Sequence, residues 1–379
     1  MGRRITDDQL GTCYTCGSKT HLVSNCKNEN CHRRMVQCEN CVDSLLGTCS
    51  EGCKGRVVNA GMVPKRKGEA TNNDVDETRQ ESDEVYTNVD DYSSGYSSSS
   101  PSLFRQIELN TAALLPSGAH MVSGAMQGSL LKMLASQTSG RVLEIGSFTG
   151  YATACFLEGA AIAGELGERK EAGIGGREGG PFVLSLERDR RALGIASAHI
   201  KAMSELGLDE DAAEEASKLA DGPIVDFEGD SVSFTYKGIA GCEFLRVNDA
   251  LATVEEMASS QSQLAPFDIA FVDADKTRLM DYVDALASND RLLKKGGLII
   301  VDNVLWKGLV LDANNNGYDS SDETSPTGSN EEKALLKKNR RARKLAMKMH
   351  QFNSEVVRDE RVEVVMMPIR DGLSLIRKR

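Results

Sequence analysis

The sequence contains no run that approaches twenty consecutive apolar residues, the length that an α-helix needs to cross a lipid bilayer, so no contact with a membrane is expected. The residues that follow the arginines near its start are not apolar either, and no secretory signal peptide is predicted. No internal repeat is apparent. These absences favour a cytoplasmic location, although an organellar one is also compatible with them. The hydrophobic content of 40% excludes a wholly disordered chain.

The length and the charge both indicate a composite chain. At 379 residues it exceeds the usual single domain, so two units, or one unit enlarged by insertions, are expected. The formal net charge of −11 is unevenly spread: residues 1–67 are net basic, residues 68–95 are strongly acidic, and residues 333–350 carry eight Lys and Arg. The net charge therefore does not exclude an RNA partner.

The composition predicts three segments. Residues 1–62 form a small cysteine-rich module, and residues 101–379 form the main domain. Between them, residues 63–100 are rich in acidic residues and serine, so they cannot bury enough apolar surface to offset the entropy cost of becoming ordered. We expect this middle segment to be a flexible linker.

The main domain alternates apolar strand patterns with helical patterns. Strands that are apolar throughout and alternate with helices predict an α/β fold with a doubly wound, mostly parallel sheet. Ligands of such sheets bind beyond the carboxyl ends of the strands. The last two apolar segments, RVEVVMMPI and GLSLIRKR, predict a closing antiparallel pair. The other predicted strands lie at residues 141–145, 181–187, 242–249, 267–275 and 297–303.

A glycine-containing turn, EIGSFTG at residues 144–150, follows the first of these strands. Gly146 and Gly150 permit a sharp turn and a close approach of the backbone to a ligand. Without a Gly- and charge-rich insertion at residues 164–180, Glu187 would lie twenty positions after Gly150, where nucleotide-binding folds place the acidic residue that holds the ribose. The turn lacks the Lys-Ser or Lys-Thr pair of a P-loop. It favours a nucleoside site, and a plain strand–helix turn is the alternative.

Polar side chains also follow two other predicted strands. FVDADK places Asp273 and Lys276 after one strand, and VDN places Asp302 and Asn303 after another. Carboxylate and amide oxygens at neighbouring strand ends suit Mg²⁺, Mn²⁺ or Ca²⁺ rather than zinc. The alternative is that each acidic residue only caps the helix that follows it. That alternative explains two adjacent clusters with a lysine poorly.

Eight of the ten cysteines lie in the first 53 residues. Four pairs of cysteines suffice for two tetrahedral zinc sites, with His21 or His32 as alternative ligands. A secreted disulfide-bonded module is the competing interpretation, which the absence of a predicted signal peptide disfavours. The spacing leaves open which pairs share a metal. The pairs, with spacings C-x2-C, C-x4-C, C-x2-C and C-x3-C, are Cys13 and Cys16, Cys26 and Cys31, Cys38 and Cys41, and Cys49 and Cys53.

Five segments within about residues 100–379 resemble the cation-dependent S-adenosylmethionine O-methyltransferases, the caffeoyl-CoA and catechol O-methyltransferase group, and their bacterial branch more than the plant enzymes. In order, they are HMVSGAMQG, VLEIGSFTGYA, FDIAFVDADK, GGLIIVDNVLWKG and VEVVMMPIRDGLSLIRK. The resemblance implies a seven-stranded Rossmann-like sheet, S-adenosylmethionine as methyl donor and a homodimer. The cofactor-binding residues that it implies are Ser123, Glu144, Gly146, Ala152, Glu187, Asp249, Ala250 and Asp275.

The same resemblance gives the carboxylate set a chemical role. It implies that Asp273, Asp302 and Asn303 bind a divalent cation, Mg²⁺ or else Mn²⁺ or Ca²⁺. It also implies that Lys276 is the general base, which makes Lys276 and Asp273 the catalytic residues. A hydroxyl group on the cation then has a lowered pKa and its oxygen attacks the sulfonium methyl.

Some positions depart from the plant pattern. Lys307 stands where the plant enzymes have an Asn that touches the acyl-CoA substrate, and Met126-Gln127-Gly128 replaces an Asp-Glu-Gly near the cofactor. A caffeoyl-CoA substrate is therefore not expected. The insertions at residues 208–241 and 312–332 also lie outside the family pattern.

Residues 1–57 resemble the cysteine-rich C-terminal region of the rhodanese-type tRNA uridine hydroxylases, which make 5-hydroxyuridine at the wobble position. The rhodanese domain with its catalytic cysteine is absent from the sequence, so hydroxylase activity is not expected. The bacterial branch of the O-methyltransferases methylates this same 5-hydroxyuridine, whose 5-hydroxyl and 4-carbonyl can chelate a metal as a catechol does. We therefore expect a tRNA substrate.

Two other functions are compatible with the sequence. One is the methylation of small hydroxylated aromatics with vicinal hydroxyl groups. The other is a zinc-containing RNA-binding scaffold without catalytic activity, which the intact set of acidic residues disfavours. The basic segment at residues 333–350 is either a solvated helix face or a contact for phosphates.

Overall fold

The computed structural model divides into two compact units, Met1–Ser97 and Ser98–Arg379. Among the helices it describes, none is long and apolar enough to cross a bilayer. Most of the predicted linker lies outside the described residues, and the part that is described contains a short helix, Val89–Gly95. The structure describes residues 11–13, 15–16, 18–20, 23–28, 34–50, 53–54, 89–167, 179–220, 227–259, 264–311, 313 and 330–379.

The N-terminal unit consists of short elements around cysteines. Two antiparallel ladders, β1 (Gly11–Thr12) with β2 (Lys19–Thr20) and β3 (Val23–Asn25) with β4 (Arg34–Val36), precede the helix Glu39–Ser44. The buried apolar side chains described in this unit are almost all cysteines, with a leucine beside them. So small an apolar core is typical of domains that a metal or disulfides hold together.

The C-terminal unit is built on one eight-stranded sheet with the order β11-β12-β10-β9-β5-β6-β8-β7. The five central strands, from β10 to β8 in this order, are parallel, and the pairs at both edges are antiparallel. The predicted α/β fold with a mostly parallel sheet and a closing antiparallel pair is therefore confirmed. The strands are β5 (Arg141–Ile145), β6 (Phe182–Glu187), β7 (Ser231–Tyr236), β8 (Ala240–Arg246), β9 (Phe267–Val272), β10 (Leu293–Asp302), β11 (Val362–Met367) and β12 (Leu373–Lys378).

The sheet has eight strands where seven were expected, and the additional strand is β7. It lies inside the segment 208–241, which the sequence presented as an insertion, and pairs with β8 at the edge of the sheet. Its exposure alternates along SVSFTY, because one face of an edge strand remains open to solvent while Val232 and Phe234 pack against the core. One part of that insertion is thus an extension of the sheet, and another part forms the helix Glu210–Ser217.

Helices cover both faces of the sheet, as a doubly wound fold requires. Alternate residues of the same strand enter different cores: Val142 of β5 packs on one side, and Leu143 and Ile145 pack on the other. The first core receives helices Ser102–Leu114, Ala125–Ser136, Tyr151–Leu166, Arg190–Leu206 and Glu210–Ser217. The second receives helices Ala250–Ser259, Leu279–Ala287 and Asn330–Val356.

The register of the parallel strands decides where the polar strand ends meet. Ile145 of β5 is opposite Val272 of β9, and Val272 is opposite Val301 of β10. The residues that follow these positions, Gly146, Asp273 and Asp302, therefore lie side by side at the carboxyl edge of the sheet. That edge is where ligands bind in open α/β sheets.

Candidate active site and cysteine clusters

The turn after β5 lies directly against the end of β9. Gly146 has a φ of 98°, and a Cβ at this position would stand 2.3 Å from the carbonyl oxygen of Asp273. Only glycine fits such a conformation and such a contact. The backbone N–H of Gly146 donates to the carbonyl of Leu186 at 2.9 Å, which ties the turn to β6 as well. The turn is therefore fixed on both sides.

The acidic residue at the end of β6 reaches back to this turn. Oε2 of Glu187 accepts a hydrogen bond from the backbone N–H of Phe148 at 2.8 Å. Its Oε1 accepts from the N–H groups of Arg188 and Asp189 at 2.7 and 2.8 Å. Burial raises the pKa of Glu187, and these N–H groups oppose the rise. The carboxylate therefore contacts the turn directly, and its predicted contact with a ribose stays a prediction.

Glu144 has surroundings that the sequence did not indicate. Its side chain is fully buried, and Oε2 accepts hydrogen bonds from Thr153, at 2.5 Å, and from Ser185. Oε1 has no hydrogen-bond partner among the described residues. Burial raises the pKa of Glu144 to about 7. The side chain therefore stands inside the core behind the turn, and its predicted contact with a cofactor stays a prediction.

A small cavity opens beside the turn. Four predicted site residues line it, namely Ser123, Gly146, Ala152 and Asp273. The sequence did not predict the other residues that line this cavity, several of which are aromatic or carry a hydroxyl group. These additional lining residues are Ser147, Phe148, Thr149, Tyr151 and Phe271, together with Met121 and Val122. A wider surface groove between helices Ala250–Ser259 and Leu279–Ala287 is lined by none of the predicted site residues, so the small cavity is the better candidate.

A buried histidine supports the turn from the helix Arg190–Leu206. Nδ1 of His199 lies 2.9 Å from the carbonyl oxygen of Thr149, and Nε2 lies 2.9 Å from Nδ2 of Asn110. The amide nitrogen of Asn110 can only donate, so Nε2 of His199 accepts, and the Nδ1–H group of His199 donates to the carbonyl oxygen of Thr149. Burial lowers the pKa of His199 to about 4, which keeps the ring neutral. Nothing in the sequence pattern indicates this role.

Two other predicted cofactor residues lie on loops and make local contacts. The Asp249 carboxylate accepts from the N–H groups of Leu251 and Ala252, so it caps the helix that Ala250 begins. It also pairs with Arg278 at 2.9 Å, and these N–H bonds and this cation lower its pKa. Oδ1 of Asp275 accepts from the N–H and hydroxyl of Thr277 at 3.0 and 2.8 Å. The roles of Asp249, Ala250 and Asp275 toward a cofactor stay predictions.

The predicted carboxylate set is brought together. Nζ of Lys276 lies 2.5 Å from Oδ1 of Asp273 and 3.3 Å from the carbonyl oxygen of Asp302. Asn303 follows immediately, and its backbone N–H donates to Oδ1 of Asp302 at 2.6 Å. Burial, together with the nearby charge of Asp273, raises the pKa of Asp302 to about 6.

The sequence did not predict the partner of Asp302 on the opposite side. Gln127, almost fully buried in the helix Ala125–Ser136, donates from Nε2 to Oδ2 of Asp302 at 2.8 Å. The departure of Met126-Gln127-Gly128 from the plant pattern marked this position, but it gave no indication of the contact. The Gln127 amide therefore orients Oδ2 of Asp302, and the backbone N–H of Asn303 orients Oδ1.

The donors at this strand edge fit a divalent cation. Two carboxylates and one amide oxygen, all of them hard ligands, stand on neighbouring strand ends. Among the described residues, the ammonium group of Lys276 contacts both aspartates: the carboxylate of Asp273 and the backbone carbonyl of Asp302. A single positive charge for two partly buried carboxylates leaves the site short of positive charge, which a divalent cation would supply.

The loop after Asn303 joins this site to the helix Asn330–Val356. Nε1 of Trp306 donates to the carbonyl oxygen of Ala342 at 2.9 Å, and Nδ2 of Asn353 donates to that of Val304 at 2.9 Å. Lys307 has a φ of 58°, and its backbone N–H donates to the Asp371 carboxylate. The position that departs from the plant pattern is therefore fixed on the loop that follows Asn303.

In the N-terminal unit, the cysteines converge in two clusters. The sulfurs of Cys13, Cys16, Cys38 and Cys41 lie within 4.8 Å of one another, and so do those of Cys26, Cys49 and Cys53. The first pair in the sequence therefore joins the third, and Cys26 of the second pair joins the fourth, an interleaved arrangement that the spacing left open. Cys31, like His21 and His32, lies outside the described residues.

The first cluster has the donor set of a tetrahedral metal site. Four thiols of one cluster exceed what a disulfide uses, and none of the nine described cysteines forms a disulfide. Burial raises the pKa of Cys13, but backbone N–H groups of Cys38, Cys16 and Thr15 outweigh it and bring that pKa to about 6. A thiolate is the form that binds zinc. In the second cluster, the N–H of Cys49 donates to the sulfur of Cys26 at 3.3 Å.

Each of the two units contains residues that match a known protein family. Residues 234–379 match the O-methyltransferase family, and residues 2–54 match the rhodanase C-terminal family. A tRNA uridine(34) hydroxylase of Cronobacter sakazakii is 44% identical over 54 residues, which are 14% of this chain and 16% of that protein. The chain thus spans about a sixth of the length of that relative.

Other similar proteins cover most of the chain. The O-methyltransferase ankF of Aspergillus thermomutatus is 25% identical over 297 residues, 78% of this chain and 94% of that protein. Among solved structures, the SAH-bound methyltransferase PaMTH1 of Podospora anserina is 19% identical with a TM-score of 0.49, covering 76% of this chain and 92% of that one. The SAH complex of a Bacillus cereus O-methyltransferase is 21% identical with a TM-score of 0.47, covering 77% and 97%.

Proposed function

We propose, from the premise that this chain carries an O-methyltransferase domain and a rhodanase C-terminal region, that it transfers a methyl group from S-adenosylmethionine to the 5-hydroxyl of hydroxyuridine in tRNA with the help of a divalent cation. The observation that carries the proposal is the meeting of Asp273, Asp302 and Lys276 beside the Gly146 turn. A methyl donor in the turn and an acceptor at the carboxylates would then be neighbours.

The chain offers a separate place for the donor. Gly146 packs the turn tightly against Asp273 and lines the small cavity, and Glu187 is held beside the turn with its carboxylate toward the N–H of Phe148. An acidic residue at this strand end suits the ribose hydroxyls of a nucleoside. Ser123 and Ala152 line the adjoining cavity, where they would contact the methionine portion.

The acceptor hydroxyl is activated at the strand ends. Asp273, Asp302 and Asn303 would hold Mg²⁺, or else Mn²⁺ or Ca²⁺, which when bound lowers the pKa of the acceptor hydroxyl. Lys276 takes or relays the proton that this hydroxyl loses. The acceptor oxygen then forms a bond to the methyl carbon as the bond from carbon to sulfur breaks, and S-adenosylhomocysteine leaves. Most of the acceleration comes from the fixed positions of the two reactants.

The N-terminal region supports a tRNA acceptor. Its likeness to tRNA uridine(34) hydroxylases over residues 2–54 supports a chain that acts on the hydroxylated nucleotide. The 5-hydroxyl and 4-carbonyl of hydroxyuridine offer two adjacent oxygens to a cation, as a catechol does. We further propose that the two cysteine clusters bind zinc, so that the N-terminal unit is held by metal.

The test is methyl transfer in the presence of Mg²⁺ to tRNA bearing 5-hydroxyuridine, to the same tRNA without the hydroxyl, and to a panel of catechols. Transfer only to the hydroxylated tRNA is expected. Asp273→Ala should abolish it, whereas Asp230→Ala, a change at a side chain that is 91% exposed, should not. Transfer to catechols alone would contradict the tRNA substrate, and full activity of Asp273→Ala would contradict the cation mechanism.

A further inference from the structure

We infer that the exposed cations of the helix Asn330–Val356, which we call the basic face, bind RNA phosphates next to the nucleotide in the active site. The basic face consists of Arg341, Arg343, Lys344 and Lys348, all exposed. The inference rests on the proposed function, because it supplies that site with the means to hold a polynucleotide. The inference goes beyond the proposed function because it names a binding surface that a small acceptor would not need.

The helix is fixed to the loop that carries the metal-binding strand end. Ala342, between Arg341 and Arg343 in the sequence, accepts through its backbone carbonyl the hydrogen bond of the Trp306 indole, four residues after Asp302. Asn353, further along the same helix, donates to Val304. Two bonds from separate turns of the helix hold it against residues 304–306. The basic face therefore has a constant position relative to Asp302.

The other side of the helix is committed to the core. Ala346, Met349, Phe352 and Val356 are buried at the spacing of one helical stripe, and three of them belong to the core cluster beneath the sheet. Rotation of the helix would expose this stripe, so the basic face is held toward solvent. The cations are thus presented outward by packing on the opposite side.

The charges of the basic face are not neutralised within the part of the chain that the structure describes. Arg341, Arg343 and Lys344 make no ion pair with any described carboxylate, whereas exposed cations elsewhere do, such as Arg377 with Glu363. The sequence between residues 333 and 350 contains no Asp or Glu in a chain of net charge −11. Like charges three and four positions apart destabilise a helix, so an anionic partner would relieve their repulsion.

The dimensions suit a short stretch of phosphates. Arg341 and Lys348 are seven residues apart, which is about 10 Å along a helix axis at 1.5 Å per residue. At a rise of about 3.4 Å per nucleotide, that length matches roughly three phosphates of one strand. Lys307, exposed on the loop between Asn303 and the helix, extends the cations toward the strand ends. An RNA strand that enters the site would therefore meet positive charge along its path.

The experiment compares two triple variants with the same change of charge. Arg341→Gln/Arg343→Gln/Lys344→Gln alters the basic face, and Lys201→Gln/Arg291→Gln/Lys295→Gln alters exposed cations elsewhere. Gln and Arg have similar helix propensities, so the fold should persist. The measurements are the Kd for hydroxyuridine-bearing tRNA at several salt concentrations, and methyl transfer to that tRNA and to the free nucleoside 5-hydroxyuridine.

For the basic-face variant we expect the Kd for tRNA to rise at least tenfold. The slope of log Kd against log salt concentration should fall by about 2, at about 0.7 for each phosphate that the protein no longer neutralises. Methyl transfer to the nucleoside should change less than twofold, and the control triple should behave as wild type.

Three results would overturn the inference: an unchanged Kd and salt slope, an equal loss with the nucleoside, or no measurable affinity of the wild type for tRNA. The last would leave an acidic protein as the alternative partner to test. Because Kd is measured without turnover, the proposed function can fail separately. A wild type that binds tRNA through the basic face but methylates neither acceptor would support the surface and contradict the reaction.

Discussion

The side-chain amide of Gln127 donates to Oδ2 of Asp302 over 2.8 Å, although 175 positions separate the two residues in the sequence. Both side chains are buried, and Oδ1 of Asp302 accepts the backbone N–H of Asn303. The orientation of a proposed metal ligand is therefore set by a residue that does not touch the metal itself. Such outer partners alter metal affinity by about 10- to 100-fold in well-studied sites.

We expect Gln127→Met to raise the Mg²⁺ concentration needed for half-maximal methyl transfer about tenfold, because Met fills a similar volume and donates no hydrogen bond. The Kd for S-adenosylmethionine, measured by calorimetry, should stay within twofold. The matched control is Gln137→Met, at an exposed position just after the same helix ends. Equal Mg²⁺ requirements for the two variants would show that Gln127 does not orient Asp302.

Gly146→Ala should abolish binding of S-adenosylmethionine and destabilise the fold. Its Cβ would stand 2.3 Å from the carbonyl of Asp273, which belongs to the backbone and cannot turn away. Gly207→Ala is the control, since Gly207 has a similar φ of 89° with no atom within 4 Å of the added Cβ. We expect Gly146→Ala to lower the free energy of unfolding by about 2 kcal/mol more than the control, as overpacking typically does. Urea unfolding measures both, and equal losses would contradict the contact.

Stability should fall as pH rises through the range in which Glu144 ionises. Its pKa in the folded chain is raised to about 7 by burial, so between about 4.5 and 7 the folded state holds a proton that the unfolded chain has lost. The folded state therefore loses up to about 3 kcal/mol relative to the unfolded chain across this window. Glu144→Gln should remove the part of this decline that Glu144 causes, while Asp302 and Glu187, whose pKa values burial also raises, keep theirs; Glu205→Gln, exposed on a helix, should change nothing. Identical pH profiles of wild type and Glu144→Gln in urea unfolding would contradict it.

The fold could be predicted where a strand's surroundings are uniform. Strand β5 is buried along its whole length, so its apolar pattern alone indicates a central strand of a covered parallel sheet. Strand β7 was not predicted, because its polar residues Ser231, Ser233 and Thr235 alternate with apolar ones, as is typical of an edge strand. It also lies in a segment that the sequence presented as an insertion. Edge strands depend on the neighbour that they join, which the sequence does not reveal.

The site could be predicted where strands position it, and not where helices do. Asp273 and Asp302 follow adjacent parallel strands, whose carboxyl ends must meet, so their proximity follows from the pattern. Gln127 and His199 reach the site from helices whose placement depends on tertiary packing. No periodicity indicates which buried polar side chain on a helix will face a strand end.

The interleaving of the cysteine pairs predicts how metal is lost. If the first and third pairs share one zinc, Cys16→Ser and Cys38→Ser should each remove one zinc per chain, and the double variant should remove no more than one. Cys16→Ser combined with Cys49→Ser should remove two, because Cys49 belongs to the other cluster. Zinc counted by elemental analysis of the purified full chain provides the test, with Cys155→Ala in the core of the C-terminal unit as the control that keeps both ions. A loss of two ions from the Cys16 and Cys38 double variant, with one from each single variant, would place these cysteines in different sites and contradict the arrangement.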